Sequence, residues 1–299
     1  MHRDLPPEPL GGVTASAAPE REGLVAIGEL IRRHRDLSAE QVEKILAHQR
    51  AKGMRFGEAA VALGLATEDD VVRALAHQFE YPVTSPKQAA FAPELVVAHR
   101  PFSPQAEVFR GIRAQLLMRL HGAHLPRRAV AVVSHDSGDG RSYFAANIAA
   151  AFSQLGGRTL LIDADLRSPR LHTLFGMDNA TGLSNMLVGR GGSRTILSVP
   201  ALPSLFVLPV GAVPPNPLEL IERPVFAALI ADVLHKFDHV VVDTPAFAHG
   251  MDSPVIAAKC GAALLLARRN RSHFSAMQDL VATLADSPVE LAGVVVNEH

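Results

Sequence analysis

The stretch that decides the fold runs from Ala129 to Phe152, AVAVVSHDSGDGRSYFAANIAAAF. An apolar, β-branched run meets a loop with two glycines, and a helical pattern follows, so it reads as strand, loop and helix. Gly138, Asp139, Gly140, Arg141 and Ser142 stand immediately before the helix. Glycines let successive backbone N–H groups turn inward around phosphate oxygens, the helix start adds a favourable field, and a serine hydroxyl can ligate magnesium. The general phosphate-loop pattern GxxxxGK(S/T) is missed twice, because its first glycine falls on His135 and its lysine on Arg141. On this loop alone, an ordinary strand-to-helix turn explains the glycines as well as phosphate binding does.

Further along the chain, apolar runs alternate with amphipathic helices: TLLIDAD (159–165), LFVLPVG (205–211), HVVVDTP (239–245), AALLLAR (262–268) and LAGVVVN (291–297). Continuous apolar strands separated by helices predict an α/β domain with a mostly parallel, doubly wound sheet, its ligands at the C-terminal strand ends. Asp163 and Asp165 lie just past one such run and Asp243 ends another. Carboxylates there, beside a phosphate loop, supply what a magnesium–nucleotide site needs: hard oxygen ligands and a base near the γ-phosphate. The joint pattern favours a nucleotide site over solvated strand ends.

The chain has 299 residues, 48% hydrophobic and 20% charged, with a formal net charge of -1. That is enough for a large α/β core plus a smaller domain, and it gives no global field toward nucleic acid or anionic lipid. The single cysteine, Cys260, cannot form an internal disulfide. The N-terminus lacks the apolar core of a signal peptide, and no stretch approaches the roughly 20 apolar residues that cross a bilayer. A cytoplasmic protein is expected, held at a membrane only through a partner. Residues 1–22 are expected to be a disordered tail, 23–82 a helical module, 83–102 a proline-containing linker and 103–299 the α/β domain. The helical module is a repeat offset by 29 residues, AIGELIRRHRDLSAEQVEKILAHQ (26–49) and RFGEAAVALGLATEDDVVRALAHQ (55–78), with Ser38 and Thr67 as helix N-caps. Of fourteen histidines only His235 and His239 show i, i+4 spacing, and with His239 starting a strand and no cysteine or carboxylate partners at ligand spacing a zinc site is not expected.

The α/β residues resemble a known family, the bacterial tyrosine autokinases (BY-kinases) of capsule and exopolysaccharide assembly, and look closest to the separate EpsG-type proteins. The resemblance runs from about Ser103 to Asn297. An apolar triplet followed by DxDxR is matched by Leu160–Ile162, Asp163, Asp165 and Arg167, and a triplet ending in Asp by Val240–Asp243. The ring-forming ExxRxxR motif is matched by Glu107, Arg110 and Arg113, and GLSNMLVG and PPNPLEL also look like family segments. The resemblance implies a P-loop NTPase fold, ATP and Mg2+ as cofactors, and γ-phosphoryl transfer to tyrosine. It implies Asp163 as base or magnesium organiser, Asp165 and Asp243 supporting the metal, Ser142 as direct ligand and Asn297 at the adenine edge or capping the last strand. Tyr143 would pack near the nucleotide. The implied partners are a membrane chain-length-determinant protein at the inner membrane and further copies of the chain, in a homo-oligomeric ring.

The family's usual acceptor is a tyrosine-rich C-terminal tail, whereas this sequence has only Tyr81 and Tyr143. That puts a trans substrate, with Tyr81 the accessible internal acceptor, beside a nucleotide-dependent assembly switch of the partitioning-ATPase kind. Arg141 also binds phosphate differently from lysine, as a larger planar fork. The helical module resembles the N-terminal domain of type II secretion and pilus ATPases, some of which bind cyclic di-GMP through tandem RLGxxLxxxG motifs. Gly28, Arg55, Gly57 and Gly64 match; Ala26 and Arg35 replace the arginine and second glycine of the first copy. A cyclic di-GMP sensor and a protein-docking module are both compatible with this pattern.

Overall fold

Successive residues of the central strands are all buried and enter two different apolar cores in alternation. Val130 and Val132 enter one core while Ala129, Ala131 and Val133 enter the other. A strand that is apolar on both sides needs a layer on each face. The computed structural model supplies them, describing residues 27–78, 91–120, 126–190 and 195–298. The chain divides into two units, Met1–Glu80 and Tyr81–His299.

The first unit holds α1 (Ile27–Arg35), α2 (Ala39–Lys52), α3 (Phe56–Ala62) and α4 (Glu68–Gln78). The repeat is visible in its caps. Ser38 Oγ accepts from Gln41 N at 3.2 Å while Ser38 N donates back to the Gln41 side chain at 2.9 Å. Thr67 and Asp70 repeat this box, with Thr67 N donating to Asp70 Oδ2 at 2.7 Å. The copies are joined by Arg35, whose Nε donates to the buried Asp70 at 2.6 Å. Burial raises the Asp70 carboxyl's pKa, but the Thr67 bonds and the Arg35 guanidinium outweigh it and hold the group below its ordinary value. Gly57 lets α3 close on α4, since a Cβ there would meet Val71 at 2.7 Å.

The second unit runs α5 (Val96–His99), α6 (Pro104–Leu120), β1 (Ala129–Val133), α7 (Arg141–Ser153), β2 (Thr159–Asp163), α8 (Leu171–Phe175), α9 (Leu183–Leu187), β3 (Leu197–Val199) and β4 (Leu202–Leu208). It continues through α10 (Pro217–Glu222), α11 (Pro224–Lys236), β5 (His239–Asp243), α12 (Asp252–Cys260), β6 (Gly261–Arg268), α13 (Phe274–Ala285) and β7 (Glu290–Asn297). The sheet order is β3-β4-β2-β5-β1-β6-β7. Every pairing is parallel except β3 with β4. All six apolar runs of the sequence are strands, and the C-terminal ends of β1, β2 and β5 lie side by side, as a doubly wound nucleotide site requires. The three-residue β3 had no signal of its own.

One boundary needs correction. Residues 83–102 were expected to be a linker, yet Leu95, Val96, Val97 and Ala98 are buried in the core beside α7. Asn147, itself fully buried, accepts from Val97 N at 3.0 Å and donates to Glu94 O at 2.9 Å, fastening this segment to α7. The expected tail (1–22), Ala26, Tyr81 and residues 83–90 lie outside the described residues.

Candidate functional site

The loop between β1 and α7 turns on Gly138 and Gly140, with φ of +83° and +97°, a region open to glycine at little cost. A Cβ at Gly140 would also meet Asn297 Nδ2 at 2.5 Å. Asn297 donates from that nitrogen to Asp139 O at 3.0 Å, so the end of β7 braces the loop. Asp139 turns into the protein and accepts from Asp136 N at 3.0 Å, closing the loop on itself. Arg268 and Arg271, at and just past the end of β6, donate to Gly138 O and Ser137 O at 2.8 and 3.2 Å. Arg141 is buried and holds three acceptors: Nε donates to Thr244 O at 2.8 Å, and Nη1 donates to Asp136 O at 2.7 Å and to Ser134 Oγ. The replacement for lysine therefore ties the phosphate loop to the turn after β5.

The acidic residues divide into different tasks. Asp163 and Asp243 are register partners on adjacent strands, both fully buried. Asp163 accepts from Asp165 N at 3.2 Å and from Leu171 N at 3.1 Å, one bond on each oxygen. Its expected role as base therefore meets a carboxylate already engaged in holding the 165–171 turn. Burial, and then the neighbouring Asp243 charge, push its pKa well above the ordinary value. Asp243 differs: neither oxygen makes a hydrogen bond of sound geometry. Burial raises its pKa to about 7, against the opposing pull of the nearby Ser142 hydroxyl and Arg141 guanidinium. A buried carboxylate with no well-formed hydrogen bond is one that a cation can complete. Asp165 accepts on Oδ1 from Arg167 N and Ser168 N at 3.1 and 2.8 Å, leaving Oδ2 outside this pattern.

A cavity of about 250 Å³ opens over the loop, lined by Gly138, Gly140, Arg141, Ser142 and Tyr143 from the loop and the start of α7 and by Asp165, Ser168, Arg170 and His249 from the segments after β2 and β5. Asp163 and Asp243 are fully buried and are not part of its lining. Ser168, Arg170 and His249 were not anticipated; Arg170, three residues past the DxDxR arginine, was the one with a visible signal.

This geometry has counterparts among known proteins. The model of the CobQ/CobB/MinD/ParA nucleotide binding domain matches residues 130–299. CapB of Staphylococcus aureus, named for tyrosine-protein kinase activity, is 31% identical over 212 residues, covering 71% of this chain and 92% of CapB. The chain belongs to the bacterial tyrosine kinases, the BY-kinase family. This BY-kinase is also 29% identical to the tyrosine-protein kinase wzc of Salmonella typhi over 204 residues, 68% of the chain but only 28% of that longer relative. The kinase domain of the Escherichia coli tyrosine kinase ETK superposes with a TM-score of 0.66 at 27% identity, covering 70% of this chain and 81% of that one.

The remaining candidate residues of this BY-kinase are not among those that line the cavity. In the ExxRxxR match on α6, Arg110 donates to Glu107 at 3.0 Å and to Pro101 O at 2.6 Å, and Arg113 donates to Ala151 O at 2.7 Å. Of the three, Glu107 presents the most exposed side chain. In the helical unit Arg55 is exposed at the start of α3, a Cβ at Gly28 would meet the Phe56 ring at 3.5 Å, and Gly64 ends the following turn at φ +67°.

Proposed function

We propose that this BY-kinase binds ATP with Mg2+ in the 250 Å³ cavity and transfers the γ-phosphoryl group to tyrosine, regulating polymerisation or export of a capsular or exopolysaccharide. The observation that carries the reading is Asp243, fully buried near the Ser142 hydroxyl and the Arg141 guanidinium with neither oxygen in a hydrogen bond of sound geometry. Among the described residues no three His, Cys, Asp or Glu side chains form a metal cage. Mg2+ does not need one, because it usually keeps several waters and takes one or two carboxylates plus substrate phosphates. Asp243 and Ser142 would hold it, and when bound it neutralises charge on the β- and γ-phosphates. The glycine N–H groups cradle the phosphates, and Arg141 keeps the cradle in register with β5. Asp165 lines the cavity with Oδ2 available, so it takes the base role in place of Asp163, accepting the proton of an incoming tyrosine hydroxyl.

A membrane chain-length-determinant protein is the proposed activating partner and anchor, since no helix among the described residues is long and apolar enough to cross a membrane. The test is incubation with Mg-ATP and that partner's cytoplasmic segment, with phosphotyrosine mapped by mass spectrometry. Phosphate on the partner or on Tyr81, lost in Asp165→Asn, is expected; ADP without phosphotyrosine overturns the kinase reading. That outcome would leave the assembly switch, with Glu107, Arg110 and Arg113 at a ring interface. The switch is favoured by Tyr143, which is half-buried edge-on to Phe109 with ring centroids 5.9 Å apart, a poor acceptor.

For the helical unit we propose docking to a protein partner rather than cyclic di-GMP sensing. In the first copy the second-glycine position is filled by Arg35, whose side chain is held by Asp70, and in the second copy Gly57 serves helix packing. Adding cyclic di-GMP is expected to leave the full chain's melting curve unchanged. A dose-dependent upward shift, lost in Arg55→Ala, would reverse this assignment.

A further inference from the structure

We propose that Arg170 is the cation that closes on the terminal phosphate of the bound nucleoside triphosphate, with Glu94 holding it aside in the nucleotide-free protein. The inference rests on the phosphate-site reading above and adds the group that distinguishes three phosphates from two. In most phosphate loops a lysine reaches the terminal phosphates; here Arg141 is anchored by Thr244, Asp136 and Ser134. Other cations around the loop are also engaged. Arg167 makes a two-pronged pair with the buried Asp252 at 2.9 and 3.3 Å, and Arg268 holds Gly138 O.

Arg170 is different. It lines the same cavity as the glycine cradle, and its guanidinium pairs with Glu94 at 3.6 Å, with the two side chains 62% and 48% exposed. Such a loose, exposed pair contributes little and is easily exchanged. A terminal phosphate carries more charge than a carboxylate and offers oxygens that match the planar fork in pairs. Both sides of the latch are held by backbone. Asp163 fixes Leu171 N, the residue after Arg170, and Asp165 fixes Ser168 N. At the other end of the pair, Asn147 holds Glu94 O. Only side-chain rotation is then needed to move the guanidinium from Glu94 toward the phosphate.

The experiment is calorimetric titration of the full chain with Mg-ATP and, separately, Mg-ADP. Arg170→Ala is expected to weaken Mg-ATP about tenfold and Mg-ADP by less than about twofold, the loss of one charge-assisted contact to the third phosphate. Arg170→Lys is expected to recover part of the ATP affinity, and Glu94→Gln to tighten ATP by about two- to threefold by releasing the latch. Equal weakening of ATP and ADP, or unchanged ATP affinity in Arg170→Ala, overturns the inference and leaves the nucleotide site standing. A wild-type chain that binds neither nucleotide removes the phosphate-site reading and this inference with it.

Discussion

Arg141→Met is expected to abolish Mg-ATP binding at about 1 mM ligand, a weak-binding ceiling, and to lower the melting temperature of the α/β unit. Methionine fills much of the same volume but donates nothing. Thr244 O, Asp136 O and Ser134 Oγ would lose their Arg141 donors, and each buried acceptor left unpaired costs about 1–3 kcal/mol. If water reaches part of the site, a net loss of about 3 kcal/mol remains, roughly 6–12 °C for a unit of this size. Removing the cation also takes away one of the opposing pulls on the Asp243 pKa, so that carboxyl moves further toward its neutral form. Arg141→Lys separates the two roles of the residue. A single ammonium serves one or two of the acceptors and still offers charge to phosphate, so binding is expected to persist while about half of the stability loss remains. Scanning calorimetry and a nucleotide titration on both variants test this. A methionine variant that binds ATP as tightly as the wild type would show that the cradle needs neither the charge nor the brace.

The same residue shows where the sequence stops being informative. That an arginine stands in the lysine position is plain from the motif; that its fork turns inward depends on Thr244, more than a hundred residues away. The α/β architecture was legible because a strand covered on both faces must be apolar throughout, and TLLID and HVVVD allow few other interpretations. Helix α7 carries almost no amphipathic pattern, since nearly all its residues are buried. Its Asn147 reads as an ordinary polar helix residue until Glu94 and Val97 are placed against it. The linker expectation failed for a related reason: Pro93 and Pro101 break helical patterning on either side of Leu95–Ala98, four apolar residues that a solvated linker has no cause to carry. The DxDxR motif likewise identified the right strand end without separating its members. Only the hydrogen bonds show Asp163 bound to backbone amides and Asp165 reaching the cavity. In the helical unit, the arginine that breaks the first cyclic di-GMP motif has a structural use of its own, and nothing in a single sequence pairs Arg35 with Asp70.

Asp243→Asn is expected to stabilise the nucleotide-free protein at about pH 8 and to remove its response to Mg-ATP, and the sign follows from proton linkage. Burial moves the Asp243 carboxyl from its ordinary 3.8 to about 7 in the folded chain. Between those values the folded protein keeps a proton that the unfolded chain has released. Stability therefore falls as pH rises through this interval and levels off above it. A shift of this size corresponds to a few kcal/mol, on the order of 4 at most, and the buried Asp163, also raised, adds in the same direction. A divalent cation reverses the balance, because it binds the ionised carboxylate that burial disfavours. Stabilisation by Mg-ATP should then grow over the same interval in which the free protein weakens. Asparagine has the same shape and no charge to desolvate, so the variant should lose most of the slope and the cation's contribution together. Urea denaturation at about pH 5, 6, 7 and 8, with and without Mg-ATP, measures both effects. A wild-type stability that is flat across this range would mean that Asp243 is ionised and already partnered. An asparagine variant still stabilised by Mg-ATP would move the metal to Asp165.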